Sequence, residues 1–537
     1  MRRFAALLDR LTLTPARLGK LRLLQDYFAA SPDPDRGWGL AAITRDLTLD
    51  AVKPAMLRGL VTARVDAELF ALSYDYVGDL AETIALIWPE REAPDHDPGL
   101  AEVVESLRAA SRREAPLVVE RLLDRLDAGG RYAMLKLATG GLRVGVSARL
   151  AKQALAGFGG VDVAEIEELW HGQAPPYVAL FAWLEGRGPR PAALAACAFR
   201  PVMLSHPVED GDLDRLDPAD FAAEWKWDGI RVQAAAEGGA RRLYSRTGDD
   251  ISAAFPDLAA ALDFEGVLDG ELLVRRPDGS VAPFGDLQQR LNRKTVTARQ
   301  IAELPAMLRA YDLLQEGGED LRPLPFTARR ARLEAFVARL DPARCDLSGL
   351  LPVTSWEGLA ALRAAPPEAV IEGVMLKRRD APYVAGRPKG LWWKWKRDPN
   401  LIDAVLMYAQ MGHGKRSGFY SDYTFGVWAE NGGLVPVGKA YFGFTDAELV
   451  EIDRFVRNNT TERFGPVRAV RAEPDHGLVL EVAFEGLNRS TRHKSGVAMR
   501  FPRINRLRWD KPPREADRIE TLEAMLGGEV SGGRQGG

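Results

Sequence analysis

Over roughly the first 190 positions apolar residues recur at intervals of three and four, as in LAETIALIWPE (80–90) and APLVVERLLDRLDA (115–128). That spacing gathers one face of a helix, and Pro89 and Gly129-Gly130 punctuate the run. An all-α bundle or array is therefore expected over residues 1–190. Between about 188 and 215 proline, glycine and aspartate collect, as in RPVMLSHPVEDGD, and a linker is expected there.

The pattern then shortens. From about 200 to 397 β-rich runs alternate with helical ones: IRVQAAAEGGARRLYSR reads as a hairpin turning at Gly238-Gly239, and GVLDGELLVRRPDGSVAPF as another turning at Pro277-Asp278-Gly279. These runs predict an α+β domain with an antiparallel sheet. Residues 398–515 give IDAVLMYAQMG, YTFGVWAENGGLVPVGKAYFG and GLVLEVAFEG, strands set between glycine turns, which predict a small closed β-barrel. The last stretch, 527–537, is poor in apolar residues and is expected to be a disordered tail.

A chain of 537 residues with 46% hydrophobic and 27% charged content fits three or four ordinary globular domains. It has no uncharged apolar run of eighteen residues, so no membrane span is expected. MRRFAALLDRL meets Asp9 and Arg10 too early for a signal peptide and reads as an amphipathic helix. With Cys197 and Cys345 as the only cysteines, a four-cysteine zinc site is excluded, no disulfide framework is expected, and a cytoplasmic setting follows. The net charge of -3 hides local patches. Arg489 to Lys511 holds eight lysines and arginines against the single acid Asp510, and the acid-free GGLRVGVSARLAKQALAGFGG carries Arg143, Arg149 and Lys152 among glycines that let backbone amides approach a phosphate.

The chemistry centres on EWKWDGIR, Glu224 to Arg231, where Lys226 stands between two tryptophans and ahead of Asp228-Gly229 and Arg231. Poor solvation and nearby cations would depress the pKa of such a lysine and make it a nucleophile. There follow in order SRTGDD with Arg246, LDGELLV with Glu271, AYDLL with Tyr311, IEGVMLK with Glu372, LWWKWKRD with Lys394 and Lys396, GKRSG with Arg416, and FPRINRLRWDK with Arg508, Asp510 and Lys511. Singly, each has an ordinary reading: Glu271 as a solvated turn carboxylate, Tyr311 as core, LWWKWK as a strand with lysines facing water. Their joint occurrence in one order is what carries weight.

In that order the motifs resemble the covalent nucleotidyltransferases, and specifically the ATP-dependent DNA ligases of bacterial or archaeal type; the helical start more loosely resembles the DNA-binding domain of eukaryotic replicative and archaeal ligases. The resemblance implies a helical DNA-binding domain (1–190), an adenylation domain with an ATP-grasp-like antiparallel sheet (200–397) and an OB-fold barrel (398–515). It implies nick sealing in three steps through a lysyl-AMP on Lys226. Glu224 would accept from the adenine amino group and Tyr311 would stack on the base. Arg231 and Glu271 would lie near ribose and phosphate, with Arg246 at the sugar or the nicked-strand phosphate. Lys394 and Lys396 would neutralise the α-phosphate, and Glu271 and Glu372 would hold Mg²⁺ or Mn²⁺. Arg387 joins the ATP contacts, although many family members carry that arginine closer to the lysine strand, where this chain has Pro388. Arg508 and Lys511 would reach the triphosphate when the barrel closes. DNA contacts would come from Arg143, Arg149, Lys152 and Arg416, and the partner would be nicked duplex DNA, met by a monomer in the nucleoid-associated cytoplasm. An RNA ligase, a capping-type enzyme or a non-catalytic DNA-binding protein on the same scaffold are the alternatives.

Overall fold

The computed structural model describes residues 1–89, 97–193, 196–291, 293, 295–411, 418–465, 467–491 and 493–528. From Arg2–Leu13 to Val178–Leu184 the described chain is helical. Asp66, Asp79, Asp127, Ser147 and Asp162 each accept a hydrogen bond from an amide in the first turn of the helix they precede, which fixes where those helices begin. Their apolar faces share one core that includes Phe4, Leu24, Phe28, Leu40, Leu135 and Phe181. The expected linker is not loose. Cys197, Phe199 and Met203 are buried against Tyr244, Tyr383 and Trp392 of the following region.

The middle region contains two sheets. In one, Ala240–Ser245, Ile230–Glu237, Gly266–Val274, Ala306–Glu316 and Glu319–Asp320 lie side by side, with Cys345–Leu347 added parallel to Ala306–Glu316. In the other the order is His206–Pro207, Trp392–Lys396, Ile371–Arg378, Phe221–Trp227 and Leu350–Leu351. Both are antiparallel apart from one parallel neighbour each. The chain passes from one sheet to the other at Asp228-Gly229.

The hairpin at Gly238-Gly239 forms, with both glycines at positive φ (57° and 80°) as a two-residue turn requires. The second forms only as a short stub. The chain turns back at Pro277-Asp278-Gly279, with the Arg276 amide donating to Ser280, an Arg275–Val281 bridge and the Ala282 amide donating to Val274, but the long partner of Gly266–Val274 on that side is Ala306–Glu316. Pro283 lacks a ladder donor and sits before the helix Phe284–Gln288, ending the return strand.

In the C-terminal region a seven-stranded sheet runs Leu434–Ala440, Tyr420–Trp428, Asn400–Met411, Val467–Val470 and Thr460–Phe464. Val479–Phe484 pairs with the first half of Asn400–Met411 and carries Arg503–Arg508 on its far side. Gly486–Arg489 and Val497–Arg500 form a separate two-stranded ribbon. The expected closure is not present: among the described residues no ladder joins the outer strands. The outer strand Leu434–Ala440 contains Pro436, which has no N–H to give a ladder, and just past it one bond, from the Ile504 amide to the Phe442 carbonyl at 3.1 Å, reaches Arg503–Arg508. The final helix, Ile519–Gly528, takes in the first two residues of the expected tail, and 529–537 lie outside the described residues.

One glycine decides how the second sheet can form. Gly373 has φ +145°, and a Cβ there would overlap the Trp395 carbonyl oxygen and lie 2.7 Å from Lys396 Cα. Gly373→Ala is expected to cost about 2 to 4 kcal/mol in urea unfolding. Gly285→Ala, where nothing lies within 4 Å, is expected to stay within about 0.5 kcal/mol.

Candidate active site

Strand alternation assembles the site. Lys226 lies opposite Gly373 and Glu224 opposite Met375; across the next ladder Gly373 lies opposite Lys396, Met375 opposite Lys394 and Leu376 opposite Trp393. Paired residues share a face of a sheet and successive ones alternate. Glu224, Lys226, Lys377, Lys394 and Lys396 therefore line one face, while Trp225, Trp393 and Trp395 pack on the other with Phe221, Ala223, Val374 and Leu376. Trp227 points away too, beneath the Arg309 guanidinium at 4.1 Å. Glu372 would face the wrong side in a regular strand. It is the extra residue of a bulge between Ile371 and Gly373, which turns its carboxylate onto the Lys226 ammonium.

That geometry reverses the expected electrostatics of Lys226. Its tryptophan neighbours in sequence do not surround the amine, and the closest charges are acids. Burial alone would lower its pKa, but Glu372, Glu271 and Asp228 outweigh burial and raise it. The depressed lysines of this face are Lys377, lowered by burial against the pull of Glu224, and Lys394, lowered by burial and then by Lys396, Lys226, Arg387 and Arg246. Among the described residues Lys394 has no ion-pair partner. An unpaired, partly desolvated ammonium among other cations is a seat for an anion.

At the other end Glu224, 1% exposed, lies between Lys377 Nζ at 3.1 Å and Arg330 Nη1 at 3.2 Å. Lys377 also donates to the Tyr311 carbonyl (3.1 Å), and its Nζ is 4.4 Å from the Tyr311 ring centroid. Arg231 is fastened by Asp269 (2.7 and 3.1 Å), the Met203 carbonyl (2.7 Å) and the Tyr383 hydroxyl (3.1 Å), with its guanidinium 5.8 Å from the Tyr311 ring. It braces the Tyr311 platform rather than pointing freely toward a phosphate. Glu271 stands opposite Arg231 in the ladder; burial pushes its carboxyl up to about 8 against the pull of Lys226 and Arg231. Arg246 and Arg387 are exposed.

The C-terminal ribbon reaches this face as well. Arg500 pairs with Asp228, one contact being 3.0 Å, and lies 3.7 Å from Glu372; Glu485 accepts from Lys396 at 2.7 Å. Sequence reasoning missed Lys377, Arg500 and Glu485. Lys377 was within reach, because it closes the IEGVMLK motif on the face of Glu224, whereas the ribbon contacts join residues too far apart in sequence to leave a local signal.

The remaining expected contacts divide. Arg508 and Lys511 are not at this site: both are held by Asp403 (3.2 and 2.8 Å), and Arg508 also by Asp510 (2.9 Å). Arg143 and Arg149 line a cleft of about 1060 Å³ shared with Arg17, Arg45 and Arg387. Lys152 is not exposed with them. It faces the helical core at 7% exposure, 4.5 Å from the Trp170 ring, and cannot contact DNA from there. Arg416 lies outside the described residues. Among the described residues no cluster of three or more His, Cys, Asp and Glu side chains could hold a metal by itself.

A family model described as "ATP dependent DNA ligase domain" matches residues 202–396, and one described as "ATP dependent DNA ligase C terminal region" matches 416–511. A "Probable DNA ligase" of Anaeromyxobacter dehalogenans (strain 2CP-C) is 35% identical over 532 residues, covering 96% of this chain and 97% of the relative. A "Probable DNA ligase" of Koribacter versatilis is 35% identical over 438 residues, covering 76% of this chain and 74% of the relative. The solved structure "Pmar-Lig_PreS3" shares the fold, with a TM-score of 0.58 at 16% identity over 94% of this chain and 99% of that one.

The carboxylates around Lys226 can be tested without a substrate. Glu372→Gln removes the nearest negative charge, so the Lys226 pKa is expected to fall. Since cyanate reacts with the free amine, the pH midpoint for carbamylation of Lys226, followed by peptide mass spectrometry, should move down. An unmoved midpoint would mean that Glu372 does not set the charge state of Lys226.

Proposed function

Because this chain belongs to the ATP-dependent DNA ligase family, and is an enzyme that seals nicked DNA at the expense of ATP, we propose that Lys226 is the residue adenylated. The observation that carries the assignment is one sheet face that sets Lys226 against a carboxylate, Glu372, and holds the unpaired cation Lys394 on the strand beyond, near enough for each ammonium to feel the other. In the first step the ammonium gives its proton to solvent, a loss that would be eased once a divalent cation occupies Glu372 and cancels its charge. The amine then bonds to the α-phosphorus of ATP while the bond to the bridging oxygen breaks and pyrophosphate leaves. Lys394 and Lys396 offset charge on the phosphoryl oxygens. In the second step an oxygen of the DNA 5′-phosphate displaces Lys226 from the AMP phosphorus, and the lysine takes back a proton. In the third, the 3′-hydroxyl attacks the 5′-phosphorus and AMP departs.

Tyr311 offers its face to the base. Glu224 keeps acceptor capacity beyond its two cations for the adenine amino group, and Lys377 supplies a donor beside it, a pattern that suits adenine and opposes guanine. Glu271 is a buried carboxyl with no ion-pair partner among the described residues, so together with Glu372 it suits a hard divalent cation such as Mg²⁺. Bound there with the nucleotide phosphates, the cation would add positive charge to the phosphoryl transfer.

We assign residues 1–190 to DNA binding through the Arg143 and Arg149 cleft, 200–397 to adenylation, and 398–515 to an OB-type unit that changes which face it presents, acting in a monomer. Separate cores for the helical and C-terminal regions support the division. In the present arrangement the ribbon face, with Arg500 and Glu485, is docked, while Arg508 and Lys511 are held by Asp403. Adenylation would call for the opposite face.

Incubation with α-labelled ATP or GTP tests the assignment. Wild type should become labelled by ATP alone. Lys226→Ala should not label, nor should Lys226→Arg, whose guanidinium stays protonated. Label on Lys226→Ala would place the nucleophile elsewhere. Arg508→Ala combined with Lys511→Ala is expected to slow adenylation by about 100-fold, while sealing of a pre-adenylated nick stays within about threefold, a loss of less than 1 kcal/mol. Equal losses in the two assays would assign these residues to the later steps or to the fold.

A further inference from the structure

Two ion pairs join the C-terminal ribbon to the nucleotide face, and they are not equivalent. Arg500 binds Asp228 and approaches Glu372, so it engages the acidic side of the site. Glu485 engages the cationic side by taking the ammonium of Lys396, whose other acid, Glu372, is 3.9 Å away. The two ribbon residues are locked together, because the Glu485 amide donates to the Arg500 carbonyl at 3.0 Å and Gly486 lies opposite Arg500 in the ladder. Glu485 therefore arrives at Lys396 whenever Arg500 arrives at Asp228. Lys394, two residues away on the same strand face, keeps no such partner among the described residues. Docking covers one motif lysine and leaves the other open.

On the reading that this face binds ATP, we propose that Glu485 is a positioning residue that makes ribbon docking and binding of a nucleotide polyphosphate compete for the Lys396 ammonium. With the ribbon docked, two carboxylates compensate that ammonium, and the multiply charged phosphate chain of ATP meets a less positive site and a further anion. With the ribbon withdrawn, Lys396 is released to the phosphates. Linkage makes the effect reciprocal: docking weakens polyphosphate binding by the factor by which the polyphosphate weakens docking. The sealing steps use no triphosphate. Once AMP has passed to the DNA, a fresh ATP entering the pocket would compete with the DNA-linked AMP and re-adenylate the enzyme, leaving an adenylated nick unsealed. Glu485 guards against that loss.

The test compares full-length wild type, Glu485→Gln and Glu485→Asp. The first measurement is the affinity for α,β-methylene-ATP with nicked duplex DNA bound; the second is the fraction of nicks left adenylated during sealing at high ATP. Glu485→Gln is expected to bind the analogue about fivefold or more tighter and to leave more adenylated nicks, and Glu485→Asp, which keeps the charge, to return both toward wild type. A purely structural role would weaken analogue binding or leave it unmoved. Unchanged or weaker binding by Glu485→Gln, or no rise in adenylated nicks, overturns the proposal. If wild type itself forms no lysyl-AMP and seals no nick, it is the ligase assignment to this site that fails instead.

Discussion

The register that sets Lys226 against Gly373, and Gly373 against Lys396, holds the whole site in place. It depends on a single missing side chain, because a Cβ on Gly373 would meet the backbone at Trp395 and Lys396. With that approach allowed, the three strands Phe221–Trp227, Ile371–Arg378 and Trp392–Lys396 sort their residues by alternation into a charged face and a tryptophan-lined one. The bulge at Glu372 is the one local breach of alternation, and it supplies the carboxylate that alternation would have turned away. A one-residue slip would exchange the two faces, burying lysines and exposing tryptophans. The apolar packing behind the sheet thus fixes the positions of the charges in front of it.

Behind the Glu224 and Tyr311 end of the site lies a second layer of buried charge. Arg329 and Asp312, both without exposed side-chain surface, pair at 2.8 Å directly beyond Tyr311 in sequence. Arg330 and Lys377 flank Glu224, and Arg231 and Asp269 brace Tyr383. Removing one member of such a pair leaves the other as an unpaired buried charge, which is far costlier than losing a surface ion pair. These pairs hold the orientation of the wall, whereas Lys394, Arg387 and Arg246 gather as a cationic rim.

Much of this was legible in the sequence because strand periodicity is local. WKW in two motifs already sorts lysines from tryptophans, and the structure brings Lys226, Glu372, Lys394 and Lys396 onto one face. The environment of Lys226 was not legible. Sequence neighbours suggested a poorly solvated amine among aromatics, but neighbours along a strand point in opposite directions, and the two leading acids, Glu372 and Glu271, come from strands well removed in the chain. Lys152 shows the same limit on a helix: its acid-free segment suggested exposure, while the packing of Ala151, Ala154 and Leu155 turns it inward. The expected barrel closure failed for a nonlocal reason too, since where an edge strand finds its partner depends on the ribbon that meets it.

The segment joining the helical and middle regions is held at two points. Met203 gives its carbonyl to Arg231, and around it Val202 and Leu204 bond to the backbone of Gly386, the residue before Arg387. The tether is thus pinned to the brace beneath Tyr311 on one side and to the loop of Arg387 on the other. A load on this segment is therefore shared between the guanidinium beside Tyr311 and the loop of Arg387, two points of the sheet region that lie far apart in the chain, so that the helical region joins the sheets by a clamp and not by a free string.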